Sequence, residues 1–202
     1  MYIIGLTGNI ATGKSVVREM LGRLGAETID ADALAHRVME PGTPVWQEAV
    51  EAFGQEILKP DGSIDRKMLG GIVFSDPRAL ERLEEIVHPA VIDLVSTMVR
   101  ESSRPVVVIE AIKLVEAKMH LGCAALWVVT CHRCQQLSRL MKARKLSKEE
   151  ALLRIQAQAP IEGKLELADV IIDNSGTLKE TERQVEGEWK KIAEKITAGG
   201  LV

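Results

Sequence analysis

Gly8-Asn9-Ile10-Ala11-Thr12-Gly13-Lys14-Ser15 satisfies G-x-x-x-x-G-K-[ST] at every fixed position. Before it, Tyr2 to Leu6 is an apolar run of strand length; after it, Lys14 to Leu24 has the length and pattern of an amphipathic helix. Glycines adopt backbone conformations closed to residues with a Cβ, so successive N–H groups can turn toward phosphate oxygens. The helix that starts near Lys14 adds the positive end of its dipole. The motif therefore predicts ATP binding, with Lys14 on the β- and γ-phosphates and the Ser15 hydroxyl on Mg²⁺. A glycine turn that holds no nucleotide is the other reading, and the strand before and helix after weigh against it.

Further apolar runs follow at Val106 to Ile109, Ala124 to Val129 and Val170 to Ile172, with a very short one at Thr28-Ile29. Continuous rather than alternating apolar runs suit parallel strands covered on both faces. Helix-length segments separate them: Val45 to Phe53, Pro77 to Ser96, Arg133 to Lys145, Lys148 to Gln158 and Lys179 to Ile196. The alternation predicts a three-layer, doubly wound α/β sheet with right-handed crossovers. The gap from Ile29 to Val106 exceeds one crossover and carries turn signals at Pro41-Gly42, Pro60-Asp61-Gly62 and Asp76-Pro77. It reads as a mostly helical insertion, about 31–100, able to wall an acceptor site. A second helical pair, about 139–164, reads as a lid. The core is then about 1–30, 105–135 and 165–202, all within one domain.

Composition narrows the partners. The chain has 202 residues, 46% hydrophobic and 27% charged, with a net charge of −3. That balance predicts neither nucleic-acid nor membrane association. Aromatic residues are 3% of the chain, too few for a base-stacking platform. No apolar run approaches the roughly 20 residues that span a bilayer. The opening Met-Tyr-Ile-Ile-Gly lacks a basic leader and does not read as a signal peptide. Three cysteines are no disulfide framework, and a reducing cytoplasm is expected. Small-molecule partners and a monomer or small homo-oligomer are the expectation.

A guanine-reading N-K-x-D is absent, and Asp173-Asn174-Ser175-Gly176 stands too late in the chain for the D-x-x-G of a switch GTPase. A small-molecule kinase is preferred. Asp30 and Asp32 follow the short second strand, whose C-terminal end faces the nucleotide crevice in such folds. Either carboxylate can accept the proton of an attacking hydroxyl; otherwise Asp32 complements a helix dipole and Asp30, for which this is the preferred reading, is an N-cap. Glu110 ends a strand, either holding a Mg²⁺ water or sitting at the sheet edge. Cys131-His132-Arg133-Cys134 has the C-x-x-C spacing of half a zinc site or a redox pair; nothing in the sequence completes a zinc site, and the segment stands where a strand should hand over to a helix, so neither function is preferred.

In order and at matching spacing from about residue 3 to 190, the chain resembles the dephospho-CoA kinase family. The resemblance rests on Gly5 to Ser15, Ile29 to Asp32, Val38 to Gly42, Asp65 to Leu69, Val73-Phe74 and His88-Pro89. It continues through Gln136, Arg139, Arg144, Arg154, Gln158, Lys164, Ala168-Asp169 and Ile172 to Asn174. Two departures stand out: Ile112-Lys113-Leu114-Val115-Glu116 stands where the family has P-L-L-F-E, with the proline lost, a lysine mid-motif and Glu116 kept, and Val16 replaces the usual threonine. The family's reaction moves the ATP γ-phosphoryl to the ribose 3′-hydroxyl of dephospho-CoA, the last step of coenzyme A biosynthesis.

The resemblance implies catalytic roles for Asp32 as general base, Lys14 and Arg139. It implies ATP contacts at Gly8, Ala11, Thr12, Gly13, Lys14 and Ser15, and at Val16, Arg144 and Asn174. Acceptor contacts are expected at Asp32, Arg66, His88, Glu116 and Arg154, and Mg²⁺ at Ser15. Against these, Arg139 and Arg144 also read as a solvated basic helix face, and His88 before Pro89 also reads as a turn cap. Another nucleotide- or nucleoside-type kinase, and a P-loop regulator without turnover, are the competing readings.

Overall fold

A computed structural model of the chain describes residues 1–199 and resolves into two compact units. The first comprises Met1–Asp30 and the chain from Ser102 onward; the second is Ala31–Glu101.

The first unit is a five-stranded, all-parallel sheet. Its strands are β1 (Tyr2–Thr7), β2 (Glu27–Asp30), β3 (Val106–Glu110), β4 (Ala125–Thr130) and β5 (Val170–Asp173), in the spatial order β2-β3-β1-β4-β5. The inner strand β3 is buried along its whole length, and β4 at all but Thr130, which is why both read as unbroken apolar runs. The edge strands β2 and β5 mix buried and exposed positions, and for that reason β2 left only a faint signal at Thr28-Ile29. Glu110 lies on inner strand β3 and is itself buried, so it does not occupy a sheet edge.

One sheet face packs on the helix after β1, α1 (Lys14–Arg23), and on the C-terminal helix, numbered α9 below (Leu178–Gly199). Val17 and Leu21 of the first meet Val185 and Ile192 of the second over Ile4, Leu6, Val108 and Trp127. On β1, a side chain at Gly5 would stand 2.9 Å from Leu114 and 3.0 Å from the Cys123 sulfur, so the segment after β3 comes close to the strand there.

The second unit holds α2 (Ala31–Arg37), α3 (Pro44–Phe53), α4 (Arg66–Ser75) and α5 (Pro77–Glu101). Thr43 caps α3 by accepting from the Trp46 amide, with Pro44 in the first turn. Ala49, Ile57, Ile64, Leu69 and Val73 form its core. Helix α4 was not foreseen. Gly70 and Gly71 lie inside it, each costing about 1 kcal/mol against alanine, but Asp65 caps two amides and Leu69 and Val73 are buried. Helix α5 runs through Pro89, carried by buried Ile86, Val87, Val91 and Val95. His88 is therefore a mid-helix residue, not a turn cap.

Back in the first unit, α6 (Arg133–Arg144), α7 (Lys148–Gln156) and the short α8 (Glu162–Leu165) connect β4 to β5, and α9 follows β5. Ser147 and Glu150 form a reciprocal capping box on α7. The sequence pattern did not anticipate α8; the preceding Ala159-Pro160 breaks the helical run. Among the described residues, no helix is long and apolar enough to cross a membrane.

Trp127 is fully buried in β4 at the centre of the sheet core. Trp127→Ala is expected to lower stability by about 3–5 kcal/mol, read as a shift in urea midpoint.

Candidate active site

The loop between β1 and α1 is held in a shape that only its own residues fit. Gly8 has φ +149 and Gly13 φ +100. A Cβ on Gly8 would stand 2.4 Å from the Val129 carbonyl oxygen, and one on Gly13 only 1.9 Å from Asn174 Nδ2. Ala11 takes φ +60, a left-handed conformation that costs a non-glycine residue about 1–2 kcal/mol. Such strain persists only where surroundings over-determine it.

Those surroundings are specific. Asn174 Nδ2 donates to the Thr12 carbonyl at 2.8 Å, and Arg139 donates to the Asn174 carbonyl at 2.9 Å and to the Thr12 carbonyl at 3.4 Å. Thr181 on α9 donates to Asn174 Oδ1 at 3.0 Å, which turns the amide nitrogen toward the loop. Farther along, Gln136 donates to the Ile10 carbonyl at 2.8 Å, and Gln158 accepts from the Ile10 amide at 2.7 Å. Asn9 donates to the Ala159 carbonyl at 3.1 Å. Ile10 and Ala11 also pack on the apolar cluster of Leu140, Ala151 and Ile155 shared by α6 and α7.

Lys14 is the first residue of α1 and is 6% exposed, whereas Ser15 is exposed. Beside them, a cavity of about 200 Å³ is lined by Gly13, Val16, Arg139, Asn174, Gly176 and Leu178. The exposed Ser15 hydroxyl, one residue past a buried lysine, is a hard oxygen donor of the kind Mg²⁺ takes.

One turn beyond Lys14, Arg18 bridges two strand ends. Its Nη1 meets Asp30 at 2.5 Å and its Nε meets Glu110 at 3.1 Å. Sheet register sets Asp30 directly beside Glu110, where two carboxylates alone would repel. Asp30 is thus engaged by Arg18, whatever its part at the start of α2. Asp32 is the acidic residue in the first turn of α2.

The structure therefore gathers Gly8, Ala11, Thr12, Gly13, Lys14, Ser15, Val16, Arg139 and Asn174 in one place. Arg144 and Arg154 are exposed on α6 and α7. Glu116 lies in the segment after β3, where its Oε1 meets Lys164 Nζ at 3.2 Å. Asp32, Arg66 and half-buried His88 belong to the helical unit, Arg66 at the first position of α4. Gln136, Gln158, Arg18 and Lys164 carry contacts that the residue pattern did not assign. For Gln136, Gln158 and Lys164 the available signal was their place among the residues that carry the family resemblance; for Arg18 there was none.

Cys131 and Cys134 flank the N-terminus of α6. Burial pushes the Cys131 thiol above its ordinary value, with Arg139 acting in the opposite direction. Burial pushes Cys123 further, to about 11. The Ser175 side chain holds the Asp173 carboxyl below its usual range.

The sequence model of dephospho-CoA kinase matches residues 2–180. The chain belongs to the dephospho-CoA kinase family. A family member from Geobacter sulfurreducens is 48% identical over 194 residues, covering 95% of this chain and 98% of that one. A crystal structure from Thermus thermophilus superposes with a TM-score of 0.83 at 34% identity, over 95% and 97% of the two chains. The dephospho-CoA kinase of Campylobacter jejuni gives a TM-score of 0.66 at 28% identity, over 98% of each. Family membership and fold agree with the resemblance carried by the motifs.

Gly13→Ala forces a Cβ into Asn174 Nδ2 and demands a left-handed alanine. ATP affinity by calorimetry is expected to fall at least about tenfold, the loss of one hydrogen bond to a preorganised loop. Thiol reactivity supplies a second check. At pH 8, iodoacetamide should label exposed Cys134 first and Cys123 last, with Cys123 labelling rising steadily with pH and levelling off only near about 11. Peptide mapping by mass spectrometry reads the order.

Proposed function

We propose that this chain transfers the γ-phosphoryl of ATP to the ribose 3′-hydroxyl of dephospho-CoA, releasing coenzyme A and ADP. The observation that carries the reading is the phosphate loop locked by Asn174 and Arg139, in a chain that matches the dephospho-CoA kinase family from residue 2 to 180.

In the transfer, the bond between Pγ and the β,γ-bridging oxygen breaks. The acceptor oxygen bonds to Pγ, and its proton leaves to a base. Loop amides and Lys14 hold the β- and γ-phosphates, so that the reacting atoms are aligned before reaction. Ser15 would hold Mg²⁺, which when bound neutralises charge on the phosphate oxygens. The cavity beside Gly13 receives the nucleoside, with Val16 and Asn174 along it. Arg139 already lies against the loop, and its planar fork suits the transferring group; Arg144 adds charge from the same helix. The stretch 139–164 serves as a lid.

On the acceptor side, Asp32 takes the hydroxyl proton. Arg66, His88, Glu116 and Arg154 bind the rest of the acceptor. Support for these five roles comes from their positions in the family's motifs.

The test is turnover of ATP with dephospho-CoA against adenosine, AMP and pantetheine phosphate; transfer to dephospho-CoA alone is expected, and preference for another acceptor overturns the reading. Asp32→Asn should lower kcat by roughly 10²–10⁴-fold, the usual contribution of a general base, with ATP affinity within a few-fold of wild type. A role confined to the helix dipole would instead cost at most about 1 kcal/mol of stability and leave kcat unchanged.

A further inference from the structure

Lys164 is 4% exposed although it sits on a helix of four residues, Glu162–Leu165. Burying an ammonium group is costly unless it is paired and hydrogen-bonded. Both conditions are met by one neighbouring segment. Lys164 Nζ donates to the Ile112 carbonyl at 2.5 Å and meets Glu116 Oε1 at 3.2 Å. The Thr7 hydroxyl, one residue before the phosphate loop, donates to the Ala111 carbonyl at 2.8 Å and reaches the Ile112 carbonyl at 3.1 Å. The first carbonyls after β3 are therefore gripped by two donors, one from the stem of the phosphate loop and one from α8. This is also the segment where Ile112-Lys113 stands in place of the family's Pro-Leu. A proline would have limited the backbone there on its own; here side chains from two other elements do so.

We propose that Lys164 is a positioning residue for Glu116: it orients the Glu116 carboxylate and cancels its charge, so that an anionic acceptor is not repelled. This rests on the reading of Glu116 as an acceptor contact. Lys164 occupies Oε1, and Oε2 is left to accept a hydrogen bond from a neutral donor on the acceptor. The acceptor carries a diphosphate, so an uncompensated carboxylate in its site would work against binding. Glu116 is partly exposed, its side chain at 36%, so the repulsion released by losing Lys164 is of the kind that salt screens.

The experiment measures KM for dephospho-CoA and for ATP at low and high ionic strength. Lys164→Met is expected to raise KM for dephospho-CoA about tenfold at low salt, with ATP KM within about twofold. High salt should recover much of the difference, and Lys164→Arg, which keeps the charge, should stay near wild type. Adding Lys164→Met to Glu116→Gln should raise the acceptor KM no further than Glu116→Gln alone, because no charge remains to cancel. Should Lys164→Met fail to fold, Lys164→Gln keeps a donor for the Ile112 carbonyl without the charge and carries the same expectation. An equal rise in both KM values, a salt-independent rise, or a lowered melting temperature with normal kinetics overturns the inference. Wild-type transfer to dephospho-CoA separates the two readings: without it the functional reading fails and this one with it, whereas wild-type transfer with an unaltered acceptor KM in the uncharged variants sinks only the role of Lys164.

Discussion

The hydrogen bond from Asn174 Nδ2 to the Thr12 carbonyl, 2.8 Å long and closing a span of 162 residues, is the contact on which the phosphate loop depends. It exists because Gly13 has no Cβ to occupy the same space. Its direction is set by Thr181, which donates to the amide oxygen and so presents the nitrogen. Its position is set by the Asn174 amide, which donates to the Thr130 carbonyl at the end of β4. A loop near the N-terminus is thereby shaped by the C-terminal strand and helix. The Thr12 and Ile10 carbonyls are both turned to side-chain donors from outside the loop.

A second clasp acts at Ile10, whose carbonyl and amide are both taken by glutamine side chains, Gln136 from α6 and Gln158 after α7. The helices between β4 and β5 are thus tied to the loop between β1 and α1. Movement of one must break bonds to the other, so the two respond as one piece. Arg18, one turn from Lys14, pairs with both Asp30 and Glu110, which the parallel register has brought side by side.

Much of this was legible in the chain itself. The inner strands were visible because burial on both faces demands unbroken Val and Ile, as in Val106 to Ile109. Helices such as α1 and α3 were visible because one face of each is apolar and glycine, threonine or proline stands at their ends. The phosphate loop was visible because its shape requires glycine at Gly8 and Gly13 and its chemistry requires Lys14 and Ser15. Helix α4 was hidden by its glycine pair, and α8 by its length; for both, packing outweighs local preference.

What the sequence determined by itself was the order of the strands, the parallel α/β class and the glycine-rich loop between β1 and α1, all of them consequences of local periodicity or backbone geometry. Only the tertiary structure decided the company residues keep: that Arg139 lies on the loop's carbonyls, that Asn174 fills the space Gly13 leaves, and that Lys164 is buried against Glu116. These partners are separated by tens to more than a hundred residues and follow no period. A lone arginine, asparagine or lysine in a polar stretch looks like any solvated residue until the fold brings its partner to it.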